Sequence, residues 1–424
     1  MMGTEQQVRI GDERGGSSIP LELLAPAGGF EQLQAAIAFG ADAVYLAADR
    51  FGMRARAANF SLDELPRAVG VAHDAGVKVH LTCNVLMMQD DLPQLPTFFE
   101  AVAAAGVDAL IIGDMGAFAL ARQYAPRCEL HVSTQASVAN AETAKLWHSM
   151  GAARIVCARE MTLANIAEMR KQIPADLQIE AFAHGAQCMA VSGRCLISAY
   201  LNGRSGNRGN CSQPCRWNYV LEEEKRSGVY FPIDEDERGS YLMNAKDLCM
   251  IEHLRELAAA GVDSIKIEGR NKKAYYVACV VGAYRRALDG VAPEGLMSEL
   301  TAVSHRPFST GFYFGNPQQA HDKDGYDHDT VHVADALVCE PHGEGFRLTL
   351  RCRNRFEERE QLEVVSPGES VRAFDVHNLT WIPEPDEAFA GAEEAVPIAN
   401  RSCNIYRTEC PFAVAPGSFI RARR

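Results

Sequence analysis

Four cysteines crowd into one short stretch, His184-Gly-Ala-Gln-Cys188-Met-Ala-Val-Ser-Gly-Arg194-Cys195 and then Arg208-Gly-Asn-Cys211-Ser-Gln-Pro-Cys215-Arg216-Trp217. Their spacing is C-x6-C-x15-C-x3-C. Four thiolates converging from a Gly- and Asn-rich loop can complete a tetrahedral metal shell or hold a cubane iron–sulfur cluster. Arginines beside them favour the thiolate form, because a nearby cation lowers a thiol pKa. Structural zinc sites usually use two C-x2–4-C pairs, and six intervening residues fit that pattern less well. Iron–sulfur is therefore the first reading, with zinc or a metal-free thiol cluster as the alternatives. Cys249, in Lys246-Asp247-Leu248-Cys249, is either a substitute for Cys215 as ligand or a core residue on an amphipathic helix. Among the thirteen cysteines, Cys83, Cys157, Cys279 and Cys339 sit singly in apolar runs and read as small core hydrophobes.

Other groups that could do chemistry stand at the C-terminal ends of short apolar runs: Tyr45, Asn84, Asp114, Gln135, Arg159, His184, Glu268 and Arg270. Arg159 and Arg270 can clamp a dicarboxylate through paired hydrogen bonds; alternatively Arg270 pairs with Glu268 or Glu180 and closes the barrel end. His184 can serve as proton donor or extra ligand, or be a hydrogen-bonded packing residue. Neither H-E-x-x-H nor G-x-S-x-G occurs, which weakens a hydrolytic reading.

The runs that must position these groups recur as Leu21–Ala25, Ala43–Ala47, Lys78–Cys83, Ala109–Gly113, Glu129–Ser133, Arg154–Ala158, Ile179–Ala183 and Ser264–Ile267. Amphipathic helical stretches lie between most of them, as at Phe30–Phe39, Leu62–Ala75, Leu92–Ala105 and Thr162–Lys171. Phrases such as Ala105-Gly106-Val107-Asp108 lead into the strands, with the glycine at a helix C′ position. Eight near-continuous apolar strands separated by helices predict a (β/α)8 TIM-type barrel over 20–290. An open doubly wound sheet is the runner-up, and no G-x-G-x-x-G follows the first strand to support it. A cysteine-bearing insertion, 185–245, follows strand seven, where it lies over the catalytic mouth; helix Lys246–Ala260 then restores the repeat, and helix Lys273–Leu288 closes it. Residues 291–330 read as a linker. From Val331 the period becomes two, at Val331–Cys339, Phe346–Arg353, Gln361–Val365, Arg372–Trp381 and Asn404–Arg407, which predicts a small C-terminal antiparallel β-domain over 331–424. Residues 1–19 read as a disordered leader.

The formal net charge of −13 argues against general nucleic-acid affinity, which rests on phosphate neutralisation. Distribution qualifies this: no Asp or Glu occurs from Ala181 through Val220, while Arg194, Arg204, Arg208 and Arg216 do. Such a segment can hold an anionic substrate or be a neutral loop with scattered arginines. The polar N-terminus is no signal peptide, and no apolar run is long enough to span a membrane, so a cytoplasmic protein is expected.

Glu180-Ala-Phe-Ala-His184-Gly-Ala-Gln-Cys188 with Ser192-Gly-Arg-Cys195 strongly resembles the signature of the collagenase-like bacterial peptidase family. Leu23-Leu-Ala-Pro-Ala-Gly28, Gly40-Ala-Asp-Ala-Val-Tyr45, Ser133-Thr-Gln135 and Lys266-Ile-Glu-Gly-Arg270 agree with it. Cys211-Ser-Gln-Pro-Cys215-Arg-Trp217 and His305-Arg-Pro-Phe-Ser-Thr-Gly311 look like the subgroup of tRNA uridine 5-hydroxylases. The resemblance runs from about Leu21 to the C-terminus. It implies oxygen-independent hydroxylation of the anticodon wobble uridine of tRNA, with prephenate as oxygen source and a [4Fe–4S] cluster on Cys188, Cys195, Cys211 and Cys215, the last of which differs in relatives acting on quinones. It also leaves room for a partner subunit and for a collagenase-like peptidase as the alternative. On that reading His184, Glu268 and Arg270 are the catalytic candidates. Asn84, Gln135, Arg159, Arg208, Arg216 and Trp217 are the substrate-binding ones. A flipped uridine needs a basic, aromatic-flanked approach, which Trp217, Tyr219, Arg216, Arg208 and Arg204 can supply, and the tail Arg421-Ala-Arg-Arg424 adds basic charge or is simply solvated. The β-domain is either an RNA-docking module or a structural cap.

Overall fold

The computed structural model describes residues 18–54, 58–188, 190–217, 220–222, 230–232, 246–316, 326–383 and 393–424. Of the leader, residues 1–17 lie outside the described residues, as does Tyr219.

Strands β1 (Glu22–Pro26), β2 (Ala43–Leu46), β3 (Lys78–Cys83), β4 (Ala109–Ile112), β5 (Glu129–Val132), β6 (Arg154–Val156) and β7 (Gln178–Gly185) pair in parallel, each with the next. Helices α1 (Phe30–Ala38), α2 (Leu65–Asp74), α3 (Leu95–Ala104), α4 (Met115–Tyr124), α5 (Ala141–Ser149) and α6 (Leu163–Gln172) alternate with them. After β7 come α7 (Ile197–Asn202), the short hairpin β8 (Val220–Glu222) and β9 (Tyr230–Pro232), β10 (Asp247–Cys249), α8 (Leu254–Ala259) and β11 (Ser264–Ile267). β11 pairs in parallel with both β7 and β1 and so closes an eight-stranded barrel. The strands fall on the expected runs to within two residues at either end.

The helix expected over Lys246–Ala260 is a helix only in its second half. Its first residues form β10, antiparallel to β7 through Leu248 opposite Gly185 and Cys249 opposite His184. Asp247 explains the strand: buried, it accepts from the backbone N–H of Arg306 at 3.1 Å and from its guanidinium at 2.8 Å, tying two distant segments together. The stretch read as a linker is also structured. After α9 (Ala274–Leu288), it carries α10 (Glu294–Thr301), with Leu296 and Leu300 buried, and β12 (Phe308–Ser309), which extends the sheet beyond β10.

The C-terminal part is antiparallel, as predicted. It comprises β13 (Thr330–His342), β14 (Gly345–Cys352), β15 (Phe356–Glu357), β16 (Gln361–Val365), β17 (Arg372–Asp375), β18 (His377–Ile382), β19 (Glu394–Ala395), β20 (Ile398–Ala399), β21 (Ile405–Cys410) and β22 (Phe419–Arg423). The main sheet runs β17-β16-β22-β13-β14-β21-β18-β19. The basic tail thus lies on an inner strand, with its last two side chains reaching solvent: Arg421 is buried and donates to Glu363 at 2.6 Å, while Arg423, on the other oxygen, and Arg424 are exposed. Val365 and Phe419 of this sheet pack into the barrel's own core. Cys83, Cys157 and Cys279 are buried as expected, and Cys339 is half-buried against the second core.

The barrel interior holds an ion network. Arg154 on β6 reaches across to Glu22 on β1 at 2.5 Å and to Glu180 on β7 at 3.1 Å, while Lys266 on β11 takes the second Glu180 oxygen at 2.9 Å. Burial would raise the Glu180 carboxyl, but Lys266 and Arg154 outweigh it and hold the group below its ordinary value. His80 and His131 stack edge to face beside it, with ring atoms and the carboxylate within 4.8 Å. Both Glu180 oxygens are committed to cations, so this trio is not a metal-ligand set.

Burial pushes His80, His131 and His184 down, His184 to about 3, so all three are neutral in the fold. The unfolded chain binds these protons near pH 6.5 whereas the folded chain refuses them. Stability is therefore full above that pH and falls as pH drops toward the folded values, at up to about 1.4 kcal/mol per pH unit for His184, with His80 and His131 acting in the same direction. The melting temperature is expected to be flat above pH 7 and to decline steadily between pH 6.5 and 5. A melting temperature constant down to pH 5 would contradict neutral burial.

Candidate active site

A single cavity at the C-terminal mouth of the barrel gathers most of the candidates. Its floor is made by inward residues at the strand ends, among them Tyr45, Thr82, Phe182, Lys266, Glu268 and Arg270, and its wall by the insertion after β7, including Cys188, Cys195, Cys211 and Cys215. All four thiols thus face one space. They do not close on a point: among the described residues, the potential ligand atoms gathered within 4.8 Å of one another are those of His80, His131 and Glu180.

Local packing explains how the insertion reaches over the mouth. Gly193 has φ +82°, and a Cβ there would lie 2.7 Å from Gln135 Oε1 and 2.8 Å from the Gln135 carbonyl, so only glycine lets this turn sit on the end of β5. Ser137 Oγ donates to the Ser192 carbonyl at 3.3 Å. Ser212 is held by Ser198 at 3.0 Å and by the Asn202 amide, which pins the second cysteine pair to α7. Gly28, at the end of the Leu23–Gly28 run, lies so close to the Arg270 carbonyl that an added Cβ would be 2.1 Å from it.

The floor is cationic. Arg54 and Arg159 flank Glu268 at 3.2 and 3.6 Å, and Arg270, buried, donates to Thr82 Oγ1 at 3.3 Å rather than closing on Glu268 or Glu180. Burial pushes Glu268 up, but Arg54, Arg159 and Arg270 together hold it below the ordinary carboxyl value. Burial lowers the Arg270 guanidinium to about 10, with the like charge of Arg54 acting in the same direction. Lys266 lies over the Tyr45 ring at 4.4 Å and is matched by Glu180, and Arg159 lies over Phe182 at 4.1 Å. Two buried atoms of the lining, Arg159 Nε and Gln135 Oε1, have no protein partner. An arrangement of this kind binds a small anion on the floor and keeps a donor and an acceptor for a polar group above it.

Several candidates are placed differently. His184 is buried outside the cavity lining, among the rings of Tyr276, Tyr284 and Phe308, with Nδ1 3.4 Å from the Tyr284 hydroxyl. Strand alternation should aim it inward with Glu180 and Phe182. A bulge intervenes: β11 pairs Lys266 with Phe182 but Ile267 with His184, which re-aims the imidazole outward. It is a packing residue, not the proton donor expected. Asn84 lines the cavity, yet its Oδ1 accepts from Met53 N at 3.1 Å and its Nδ2 donates to Ser133 Oγ at 3.2 Å, so it positions the β2 loop. Arg208 is tied to Asp91, by Nη1 and by Nη2 at 3.1 Å, and to the Leu86 carbonyl at 2.8 Å; it anchors the insertion instead of facing substrate. Asp114 caps α4 through Ala117 N at 2.9 Å. Trp217 is exposed near the wall and outside the lining, and the Arg216 side chain lies outside what the structure describes. Cys249 is buried beside Tyr284, away from the four lining thiols, with its thiol pushed up to about 11 by burial.

Sequence reasoning missed Arg54 because it looked at strand ends, and Arg54 comes from the long connection after β2. The signal available was the length of that connection, 18 residues from Ala47 to Glu64, since long loops on the mouth side of a barrel carry function.

The chain is 34% identical to "tRNA hydroxylation protein P" of Escherichia coli (strain K12), over 89% of this chain and 91% of that one. It is 35% identical to a protein named "Collagenase" of Porphyromonas gingivalis, over 69% of this chain and 73% of that one. A 23S rRNA 5-hydroxycytidine synthase of Escherichia coli is 40% identical over 66% of this chain and 41% of its own length. The profile of Peptidase family U32 matches residues 28–323, which span the barrel, the cysteine-bearing insertion and the segment that follows. The chain belongs to peptidase family U32.

Proposed function

We propose that this chain is an RNA hydroxylase acting on tRNA, forming 5-hydroxyuridine at the anticodon wobble position with prephenate as oxygen source. In this reading Cys188, Cys195, Cys211 and Cys215 hold a [4Fe–4S] cluster. The observation that carries it is the meeting of four thiols and a cationic floor in one cavity. It stands beside similarity over nine-tenths of the chain to a protein named for tRNA hydroxylation. The donor set suits the cluster by ligand type and number, four cysteines lining one cavity.

When bound, the cluster supplies redox and Lewis-acid chemistry next to the cavity. The chain's own residues do the rest. Arg159 and Arg270 bind and orient the carboxylates of prephenate, and Glu268 sets the charge of the floor. The unpartnered Oε1 of Gln135 is placed to accept from a base edge. Tyr200, 85% exposed on α7, offers a ring on which a base of an RNA loop can stack. Prephenate and the cluster go beyond what the relatives' names state.

The peptidase reading is weaker on geometry. Among the described residues lining the cavity there is no histidine to activate a cysteine nucleophile. The test is mass spectrometry of tRNA nucleosides from cells lacking this gene and its redundant homologues, with and without the gene restored. Wobble 5-hydroxyuridine and its derivatives are expected to disappear and return. Their persistence in the deletion strain removes the proposal.

A further inference from the structure

The cation that belongs to both halves of the site is Arg54. It lines the same cavity as the four cysteines and lies 3.2 Å from Glu268 on the floor. Glu268 holds its guanidinium well above its ordinary value, against the penalty of burial. The backbone is committed to this placement. Arg54 has φ 72°, a left-handed conformation unusual for an arginine, Asn84 holds the neighbouring Met53 N–H, and the loop returns to the barrel through Asn59 N donating to the Gly28 carbonyl at 3.0 Å. Three arginines, Arg54, Arg159 and Arg270, then face one carboxylate, Glu268, since Lys266 is matched by Glu180. The floor carries a charge excess that suits a ligand with two carboxylates better than one.

We propose that Arg54 is a specificity-determining residue shared by two anions, reading the second carboxylate of a small dicarboxylate on the floor and neutralising the thiolate wall. The inference rests on the functional reading above for the identity of the dicarboxylate and of the group on the thiols. It adds that the two parts of the site are coupled through one side chain. Glu268 is its resident partner, and a bound dicarboxylate shares Arg54 with it, so a monocarboxylate gains less from the same guanidinium.

The full chain, isolated under nitrogen with whatever it carries, is titrated with prephenate and with the monocarboxylate phenylpyruvate by calorimetry. Arg54→Asn removes the charge while tolerating the left-handed backbone, and Arg54→Lys keeps the charge. Prephenate affinity is expected to fall at least about tenfold in Arg54→Asn and to stay within about threefold of the parent in Arg54→Lys, with phenylpyruvate affected less. The midpoint potential of the bound cluster is expected to move to a more negative value in Arg54→Asn, because loss of a nearby cation disfavours the reduced state, and to stay near the parent's in Arg54→Lys. Prephenate binding by Arg54→Asn within about twofold of the parent, or equal losses for both ligands, overturns the proposal. An unshifted potential overturns the link to the wall. Arg54-dependent binding in a protein that hydroxylates no RNA sinks the functional reading and leaves this inference standing.

Discussion

Serine in place of Cys195 is expected to strip the chain of iron and abolish RNA hydroxylation while leaving the barrel folded. Cys195 lines the cavity, half-buried, on the insertion and not on a barrel strand. The serine hydroxyl is a poor ligand for iron because it stays protonated at neutral pH, whereas a thiolate is available. Turnover should fall by more than about a hundredfold, since changes one shell outside a metal already remove 10–100-fold. The same loss is expected for Cys188, Cys211 and Cys215. Cys249→Ser is the control: its sulfur is buried against Tyr284, outside the cavity, so iron per chain and visible absorbance should match the parent. Full iron content in Cys215→Ser with loss in Cys249→Ser would reverse the assignment of the fourth ligand.

The largest effect on stability is expected at Glu180. Its carboxylate is fully buried between Arg154 and Lys266. Glu180→Gln keeps the shape and removes the charge. Glu22 remains for Arg154 at 2.5 Å, so the uncompensated cation is chiefly Lys266. Breaking a buried pair from one side costs about 3–5 kcal/mol, which for a chain of this size lowers the melting temperature by roughly 5 °C. Adding Lys266→Met should recover part of the loss, because the stranded cation goes with it. A Glu180→Gln protein melting within about 2 °C of the parent would show that the network contributes little.

The parts of the fold visible in the sequence are those governed by local pattern. Ser264–Ile267 and Lys78–Cys83 were legible to the residue because short runs carrying Ile, Val and Leu recur between helical stretches, which marks the strands of a parallel barrel. β10 was not, since Asp247-Leu-Cys is three residues long and Leu248, Ile251, Leu254 and Leu257 continue a helical period across it; what makes it a strand is Arg306, 59 residues away. β22 was misread for a related reason. Arg421 looks like surface charge until Glu363 is placed against it. The cysteine wall was legible from spacing alone. The direction of His184 was not, because a single bulged residue decides it, and the role of Asn84 was not, because both ends of its amide are consumed by contacts made through space.

The pairing of β10 with the end of β7 brings the two stems of the cysteine-bearing excursion side by side, Leu248 opposite Gly185. A segment that departs and returns through neighbouring hydrogen bonds is a closed circuit on the rim. Doubling its length would add only about 0.6 kcal/mol of closure entropy. The span between the last cysteine and β10 can therefore be lengthened or trimmed at small cost, while the contacts that seat the excursion on the rim, Ser137 with Ser192 and Arg208 with Asp91, stay as they are.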